Sequence, residues 1–200
     1  MSEVASSPIV EPKITQSNHE TNDRLIQALT QPPLRWHFDP QVLEVEQRIL
    51  FEQGFNYVGH ELLVPNLGDY HVPSQLNNAK ILVRNQHGVE LLSNICRHRQ
   101  AIMLEGRGTV KNIVCPLHRW SYRLDGTMLG APHFPENPCL PLNKTPLQNW
   151  NGLLFAGQRN VAQDLAAIPA LKELDFSNYL LNRIEVEEYA FNWKTFIEVY

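Results

Sequence analysis

The sequence predicts a mainly β protein: an antiparallel β-sandwich of about 100 residues, preceded by one helix. Between residues 55 and 160, short runs rich in leucine, β-branched and aromatic residues alternate with turn formers. Two pairs of these runs are joined by two-residue turns of the kind that close hairpins. Fourteen prolines against ten glycines favour many short elements over long helices.

The first 54 residues contain one predicted helix. Residues 1–35 are polar and rich in Ser, Asn, Thr and Pro, which predicts a flexible leader. Residues 36–54 predict the helix, because Asp39 is a suitable N-cap, Pro40 suits the first turn, and Gly54 provides a stop. Its apolar stripe includes Val42 and Ile49.

The predicted strands of residues 55–160 follow one another at short intervals. They are YVGHELLVP, AKILVR, GVELLSNI, VKNIVC, WSYRL, TMLGA and NGLLFAG. The stretch RNQHG joins the second and third as a hairpin, and Asp125-Gly126 lies between the fifth and sixth. An Asp-Gly pair readily supplies the positive φ angles of a two-residue turn, so we expect a second hairpin there.

Residues 161–200 predict a linker followed by the truncated start of another domain. The stretch from 159 to 179 is linker-like, residues 180–190 have the pattern of a strand, and 191–200 have that of a helix. The helical pattern reaches Tyr200 without a glycine, a proline or a basic last turn. We therefore expect the chain to break off within an element.

Composition excludes several function classes. A net charge of −4 provides no basic footprint for nucleic acid, and no run approaches the eighteen apolar residues of a membrane span. The start has no cationic segment leading into an apolar one, so we expect no signal peptide and a cytoplasmic protein. Three cysteines, an odd number, favour metal binding or catalysis over a disulfide framework.

Two cysteine–histidine pairs stand out. Cys96 and His98 are separated by one residue, Cys115 and His118 by two, and sixteen residues lie between the pairs. Each pair directly follows an apolar run. Because neighbouring strands of one sheet present adjacent loop tips, four ligands of matched chemistry would meet there. The pattern predicts a metal site, although buried core thiols with histidines beside them by chance are the alternative.

The spacing favours an iron–sulfur cluster over zinc. Paired zinc ligands are usually separated by two to five residues, so that both reach one ion. A C-x-H pair directs its side chains apart, which suits two separate irons. In a Rieske-type [2Fe–2S] centre one iron takes two cysteines and the other two histidines, and the potential lies at roughly −150 to +300 mV. A structural zinc module stays open as an alternative.

The segment CRHRQ…CPLHRWSYRLDGTMLGAPHF resembles the cluster-binding segment of Rieske non-haem iron oxygenases, in the N-terminal part of the α subunit. NWKTFIEVY resembles the start of their catalytic domain. The resemblance implies that Cys96 and Cys115 hold one iron and that His98 and His118 hold the other. It also implies that Trp120 and Tyr122 pack or hydrogen-bond around the cluster.

The resemblance also implies a function. The intact subunit would take electrons from an NAD(P)H-dependent flavin reductase or a ferredoxin and pass them to a mononuclear iron(II). That iron would hydroxylate an aromatic or quaternary-amine substrate with O₂, in an enzyme that is commonly a homotrimer. We expect the mononuclear iron ligands beyond Tyr200, so this portion alone would have no catalytic residues. The remaining histidines occur singly: His19, His37, His60, His71, His87 and His133.

A free-standing Rieske ferredoxin, an electron carrier without enzymatic activity, is the alternative function. Its chain would end near residue 160, whereas this one continues for forty residues. Cys139 has no nearby partner in the sequence, and we expect it to be a structural or incidental thiol.

Overall fold

The computed structural model of the protein describes residues 33–176 and 178–199. The predicted leader, apart from its last three residues, lies outside the described part. The chain forms two compact units: residues 33–43 with 191–199, and residues 44–190. Among the described residues no helix is both long enough and apolar enough to cross a membrane.

The second unit is built from short antiparallel strands, which confirms the predicted mainly β fold. The strands are β1 (Asn56–His60), β2 (Asp69–His71), β3 (Lys80–Asn85), β4 (Gly88–Ser93), β5 (Arg107–Thr109), β6 (Ile113–Val114), β7 (Ser121–Tyr122), β8 (Met128–Gly130), β9 (Lys144–Thr145), β10 (Leu147–Trp150) and β11 (Leu153–Ala156). They form three sheets, in the orders β1-β11-β10, β5-β2-β3-β4-β9 and β6-β7-β8.

Both predicted hairpin turns are present. Strands β3 and β4 pair along their whole length around Gln86-His87, with Asn85 opposite Gly88. Between β7 and β8, Gly126 has a φ of 81°, and the Thr127 N–H donates to Asp125 Oδ1 at 2.8 Å. The Asp-Gly pair therefore turns the chain with a positive φ angle at glycine, as predicted. The loop has three residues, 124–126, and not the predicted two, because the Arg123 N–H donates to the Thr127 carbonyl at 2.8 Å.

Two apolar clusters stabilise the second unit. One lies between the β1 sheet and the β3–β4 hairpin: Val58, Val64, Leu82, Leu91 and Leu154. The other connects the five-stranded sheet to the β6-β7-β8 sheet: Val72, Ile81, Val83, Leu92, Cys96, Met103, Ile113, Cys115, Trp120, Tyr122, Met128 and Leu142. Two of the three cysteines thus belong to a closely packed apolar core.

The predicted first helix is confirmed in its N-terminal half. Helix α1 (Pro40–Glu46) begins where Asp39 caps it, with the Gln41 N–H donating to Asp39 Oδ1 at 2.9 Å. The chain then continues as a π-helix over Gln47–Glu52. At Gly54 a Cβ atom would lie 2.0 Å from the Leu50 carbonyl oxygen, so only glycine fits there.

The segment after residue 160 differs from the prediction in two places. The stretch assigned to a linker contains helix α2 (Val161–Ala166), capped by Asn160 Oδ1, and a 3₁₀-helix over Pro169–Glu173. The prediction of a strand over residues 180–190 is wrong, since the segment has no regular secondary structure and joins no ladder of the described chain. An alternating pattern forms a strand only where a second strand supplies hydrogen bonds. The helix predicted after it is present as α3 (Trp193–Val199).

Candidate metal centre

The first cysteine–histidine pair lies in a closed loop, residues 96–101. The Cys96 N–H donates to the Ala101 carbonyl at 2.8 Å, and the Gln100 N–H donates back to the Cys96 carbonyl at 3.0 Å. Gln100 adopts a left-handed conformation, with a φ of 56°. Two hydrogen bonds and one left-handed residue therefore fix the loop that carries Cys96 and His98.

The second pair lies in a loop of the same geometry, residues 115–120. The Cys115 N–H donates to the Trp120 carbonyl at 2.8 Å, and the Arg119 N–H donates to the Cys115 carbonyl at 3.1 Å. Arg119 has a φ of 61°, in the position that Gln100 occupies in the first loop. Both loops have six residues, so the unequal spacing only places the histidine third in one and fourth in the other.

The structure brings the four predicted ligands together. Cys96 and Cys115 are buried free thiols in the same core. His98 and His118 are half-buried, and their ring centroids lie 4.8 Å apart at an interplanar angle of 76°. The centre therefore has a thiol side in the core and an imidazole side nearer the surface.

Tyr122 lies directly behind the first loop. Its hydroxyl accepts a hydrogen bond from the Arg97 N–H at 3.2 Å and lies 3.7 Å from Cys96 Sγ. Burial raises the pKa of Tyr122, so the hydroxyl keeps its proton. Because the oxygen already accepts from Arg97, its own proton is available to the cysteine sulfur.

Aromatic rings enclose His98. Trp120 is stacked on the imidazole, with centroids 4.8 Å apart and an interplanar angle of 10°. Phe134 meets the imidazole edge to face at 5.7 Å and meets Trp120 at 5.2 Å. These contacts restrict the orientation of the His98 ring. Phe134 was not predicted as a site residue, because in the sequence it is only one residue of the GAPHF motif.

The protonation states suit metal binding. Burial, His118 and Arg99 lower the pKa of His98, which keeps the imidazole neutral, as a metal ligand must be. Burial is also the main cause that raises the pKa of Cys96, with a further contribution from the neighbouring Cys115 thiol. A bound cation reverses that preference, because a coordinating thiol is deprotonated outright.

These residues fit a two-iron cluster. His98 Nδ1 is buried and has no hydrogen-bond partner in the described chain, an arrangement that a coordinate bond to iron would satisfy. Among the described residues no three His, Cys, Asp or Glu side chains form a group that could hold one metal ion. A Rieske cluster requires only two protein ligands per iron.

Cys139 does not belong to the centre. It is exposed, with a φ of 52°, and its N–H donates to Asn137 Oδ1 at 2.9 Å. The buried cysteines and the exposed one therefore occupy environments of different chemistry.

Residues 54–147, which include both loops, match the family model of the Rieske [2Fe–2S] domain. The chain contains a Rieske domain. A putrescine 2-hydroxylase of Ralstonia nicotianae is 55% identical over 184 residues, which cover 92% of this chain and 50% of the relative. A putrescine 2-hydroxylase of Bordetella bronchiseptica is 47% identical over 191 residues, which cover 88% of this chain and 44% of that relative. The chain thus spans about half the length of these relatives.

Solved structures agree on the fold around the Rieske domain. A naphthalene 1,2-dioxygenase from Rhodococcus sp. superposes with a TM-score of 0.62 at 22% identity, covering 79% of this chain and 39% of that one. A quaternary ammonium Rieske monooxygenase superposes with a TM-score of 0.58 at 20% identity, covering 71% of this chain and 43% of that one. The resemblance to the N-terminal portion of Rieske oxygenase α subunits is confirmed, and with it the [2Fe–2S] cofactor.

Proposed function

We propose that the intact protein is an oxygenase α subunit whose Rieske domain relays electrons to a mononuclear iron for O₂-dependent hydroxylation. The observation that carries this proposal is the pair of matched loops, which place two buried thiols beside two half-buried imidazoles. The oxygenase relatives support the reaction class, and the mononuclear iron would be held by the portion that this chain does not cover.

In this proposal the four ligands divide by type. Cys96 and Cys115 hold one iron as thiolates, and His98 and His118 hold the other as neutral imidazoles. The bound cluster would accept and release one electron at a time. The chain's own residues prepare for this: the apolar core keeps water from the thiolates, Tyr122 donates to one sulfur, and Trp120 orients an imidazole.

The extent of the sequence similarity favours an oxygenase subunit over a free-standing Rieske ferredoxin. The match to the Ralstonia relative covers 92% of the chain, so it extends well beyond residue 160, where the sandwich ends. A ferredoxin would share only the sandwich. At least 24 of the last forty residues (184 matched residues minus the first 160) are therefore part of what this chain has in common with a hydroxylase.

We further propose that the substrate is an aliphatic amine. The two relatives of 47% and 55% identity are both putrescine hydroxylases. A glycine betaine monooxygenase subunit of Chromohalobacter salexigens, at 36% identity over 101 residues, also acts on a compound with a cationic nitrogen. Of the two expected substrate classes, these relatives favour amines over aromatic compounds.

The partners proposed for the intact protein are an NAD(P)H-dependent flavin reductase, or a ferredoxin, and further copies of the subunit. A homotrimer would let the cluster of one subunit serve the iron of the next. Inter-subunit electron transfer is described for the quaternary ammonium monooxygenase that shares this fold, at 20% identity and a TM-score of 0.56.

Ligand replacement tests the cluster site. Cys96→Ser and His98→Ala should each abolish the visible absorption and the EPR signal of the reduced cluster. Cys139→Ser and His87→Ala are matched controls, since Cys139 is an exposed thiol and His87 lies in the turn between β3 and β4. Two iron and two sulfide per chain are expected. A colourless protein with one zinc per chain would contradict the proposal.

Turnover tests the oxygenase role. The full-length protein, supplied with NADH, a flavin reductase and O₂, should convert putrescine to a hydroxylated product with matching NADH consumption. Cys96→Ser should abolish this conversion. A full-length protein that is reduced and reoxidised but hydroxylates no amine or aromatic compound would instead identify an electron carrier.

A further inference from the structure

The two ligand loops differ in what holds their bases together. The second loop closes the β6–β7 hairpin, where Ile113 pairs with Tyr122 and Val114 with Ser121. Below the first loop the only strand-like pairing in the described chain is the isolated bridge between Ile95 and Ile102. The loop that carries Cys96 and His98 therefore lacks a full hairpin base.

Asn94 occupies the place where the next pair of that hairpin would be. Its side-chain amide donates from Nδ2 to the Leu104 carbonyl at 2.8 Å, and its Oδ1 accepts from the Leu104 N–H at 3.0 Å. A primary amide has the donor and acceptor of a peptide group, so this two-bond contact reproduces one step of a β-ladder. The Asn94 carbonyl also accepts from the Met103 N–H at 3.0 Å.

The remaining hydrogen-bonding groups of Asn94 connect the base of the loop to residues 78–79, the segment just before β3. Its second Nδ2 hydrogen donates to the Asn78 carbonyl at 2.8 Å, and its backbone N–H donates to the Ala79 carbonyl at 2.9 Å. Asn94 is completely buried. A buried amide that satisfies both side-chain donors and its acceptor fixes its surroundings, because any shift leaves polar groups unpaired.

We propose that Asn94 is a positioning residue for the cluster: it holds the first ligand loop in register by replacing a missing pair of the β-ladder. This inference rests on the proposed cluster site. Asn94 lies two residues before Cys96, and Leu104 lies three residues after the loop closes at Ala101. The contact therefore anchors both ends of the loop that presents Cys96 and His98.

The test compares Asn94→Ala with Asn85→Ala in the full chain. Asn85 is also a buried asparagine with two side-chain hydrogen bonds, to Glu90 and from the His87 N–H. It is the last residue of β3 and pairs with Gly88 at the far end of β4, about 20 Å from Asn94 at 3.3 Å per strand residue. Both variants should lose global stability, but only Asn94→Ala should disturb the loop that carries Cys96 and His98.

Two readouts separate positioning from stability. The two variants are compared at denaturant concentrations that give them equal stability. Under these conditions Asn94→Ala should lose its cluster to a chelator at least tenfold faster than Asn85→Ala. Its reduced EPR lines should broaden, whereas those of Asn85→Ala should match the wild type. In hydrogen exchange without the cluster, peptides containing Met103 and Leu104 should lose protection in Asn94→Ala alone. Asn94→Ser, which keeps a small polar group, serves if the alanine variant does not fold.

Equal rates of cluster loss and unchanged EPR lines in the Asn94 variants would overturn the inference. That result is distinct from failure of the proposed function. If Cys96→Ser retained the cluster, the ligand assignment itself would be wrong. If Cys96→Ser lost the cluster while Asn94→Ala kept it as firmly as Asn85→Ala, only the role of Asn94 would be refuted.

Discussion

Tyr122 is the residue whose hydrogen bonding bears most directly on the cluster potential. With Cys96 as a metal-bound thiolate, the Tyr122 hydroxyl can only donate to the sulfur, which lies 3.7 Å away. Reduction adds negative charge, so this contact stabilises the reduced cluster more than the oxidised one. Tyr122→Phe should therefore lower the midpoint potential by roughly 30–60 mV, 59 mV being a tenfold change for one electron.

A second tyrosine provides the control for that measurement. The Tyr70 hydroxyl donates to the Glu105 carbonyl at 3.3 Å and forms no hydrogen bond with a proposed ligand in the described chain. Tyr122→Phe should cost about 2 kcal/mol of unfolding free energy for its two lost hydrogen bonds, and Tyr70→Phe about 1 kcal/mol for its one. Only the first should change the potential in redox titration. Equal potentials for both variants would exclude this role for Tyr122.

At the scale of elements, the β7–β8 hairpin depends on the glycine of its turn. Gly126 has a φ of 81°, and a Cβ atom there would lie 3.3 Å from Leu92 Cδ2 and 3.4 Å from Leu142 Cβ. Gly126→Ala should lower the unfolding free energy by about 1–2 kcal/mol, from left-handed strain and crowding. Gly130→Ala, in β8 of the same hairpin, meets only Ser121 Oγ at 3.6 Å and should be nearly neutral. Urea unfolding of the two variants measures the difference, and equal losses would refute the role of the turn.

The same turn contributes a pH-dependent stability. The Thr127 N–H, followed by the Lys144 and Arg123 charges, lowers the pKa of Asp125 below 3.8. A carboxyl group with a lowered folded-state pKa stabilises the fold above its unfolded pKa, and this contribution is lost as pH falls through the folded pKa. Asp125→Asn keeps an acceptor for Thr127 but has no charge. As the pH falls from 5 to 3, the unfolding free energy of Asp125→Asn should therefore decrease less than that of the wild type. The same pH dependence of unfolding free energy in both proteins would contradict this role of Asp125.

The elements that were predicted correctly are those whose signals are local. The Asp-Gly turn, the β3–β4 hairpin and the Asp39 cap each depend on a few adjacent residues. The strand expected over 180–190 depended on a partner that no local pattern specifies. Four strands, β2, β5, β9 and β10, were not predicted. Strands β2, β5 and β9 have only two or three residues each and take partners from distant segments, whereas β10 (LQNW) pairs with its neighbour β11 but has only two apolar residues.

At the scale of the whole molecule, the sequence was sufficient to select the four proposed ligands but not the contacts that support them. They were selected because Cys and His side chains at two loop tips have few other uses. The equal six-residue loops were not predicted, since they depend on left-handed Gln100 and Arg119, neither of which is glycine. The Asn94–Leu104 contact was not predicted either, because a single buried asparagine has no periodic signature.

The stability of the second unit should depend on the cluster. Without iron, its core contains two buried thiols and His98 Nδ1 has no hydrogen-bond partner in the described chain. A group that binds only the folded state stabilises it by about 2.7 kcal/mol at a hundredfold excess over its Kd, and 1 kcal/mol corresponds to about 2–4 °C for a chain of this length. Removing the cluster with a chelator under reducing conditions should therefore lower Tm by about 5–10 °C. Cys96→Ser combined with Cys115→Ser should have the lower Tm from the start, and the chelator should not change it further. An unchanged Tm after complete bleaching of the wild type would show that the two loops are held by the polypeptide alone.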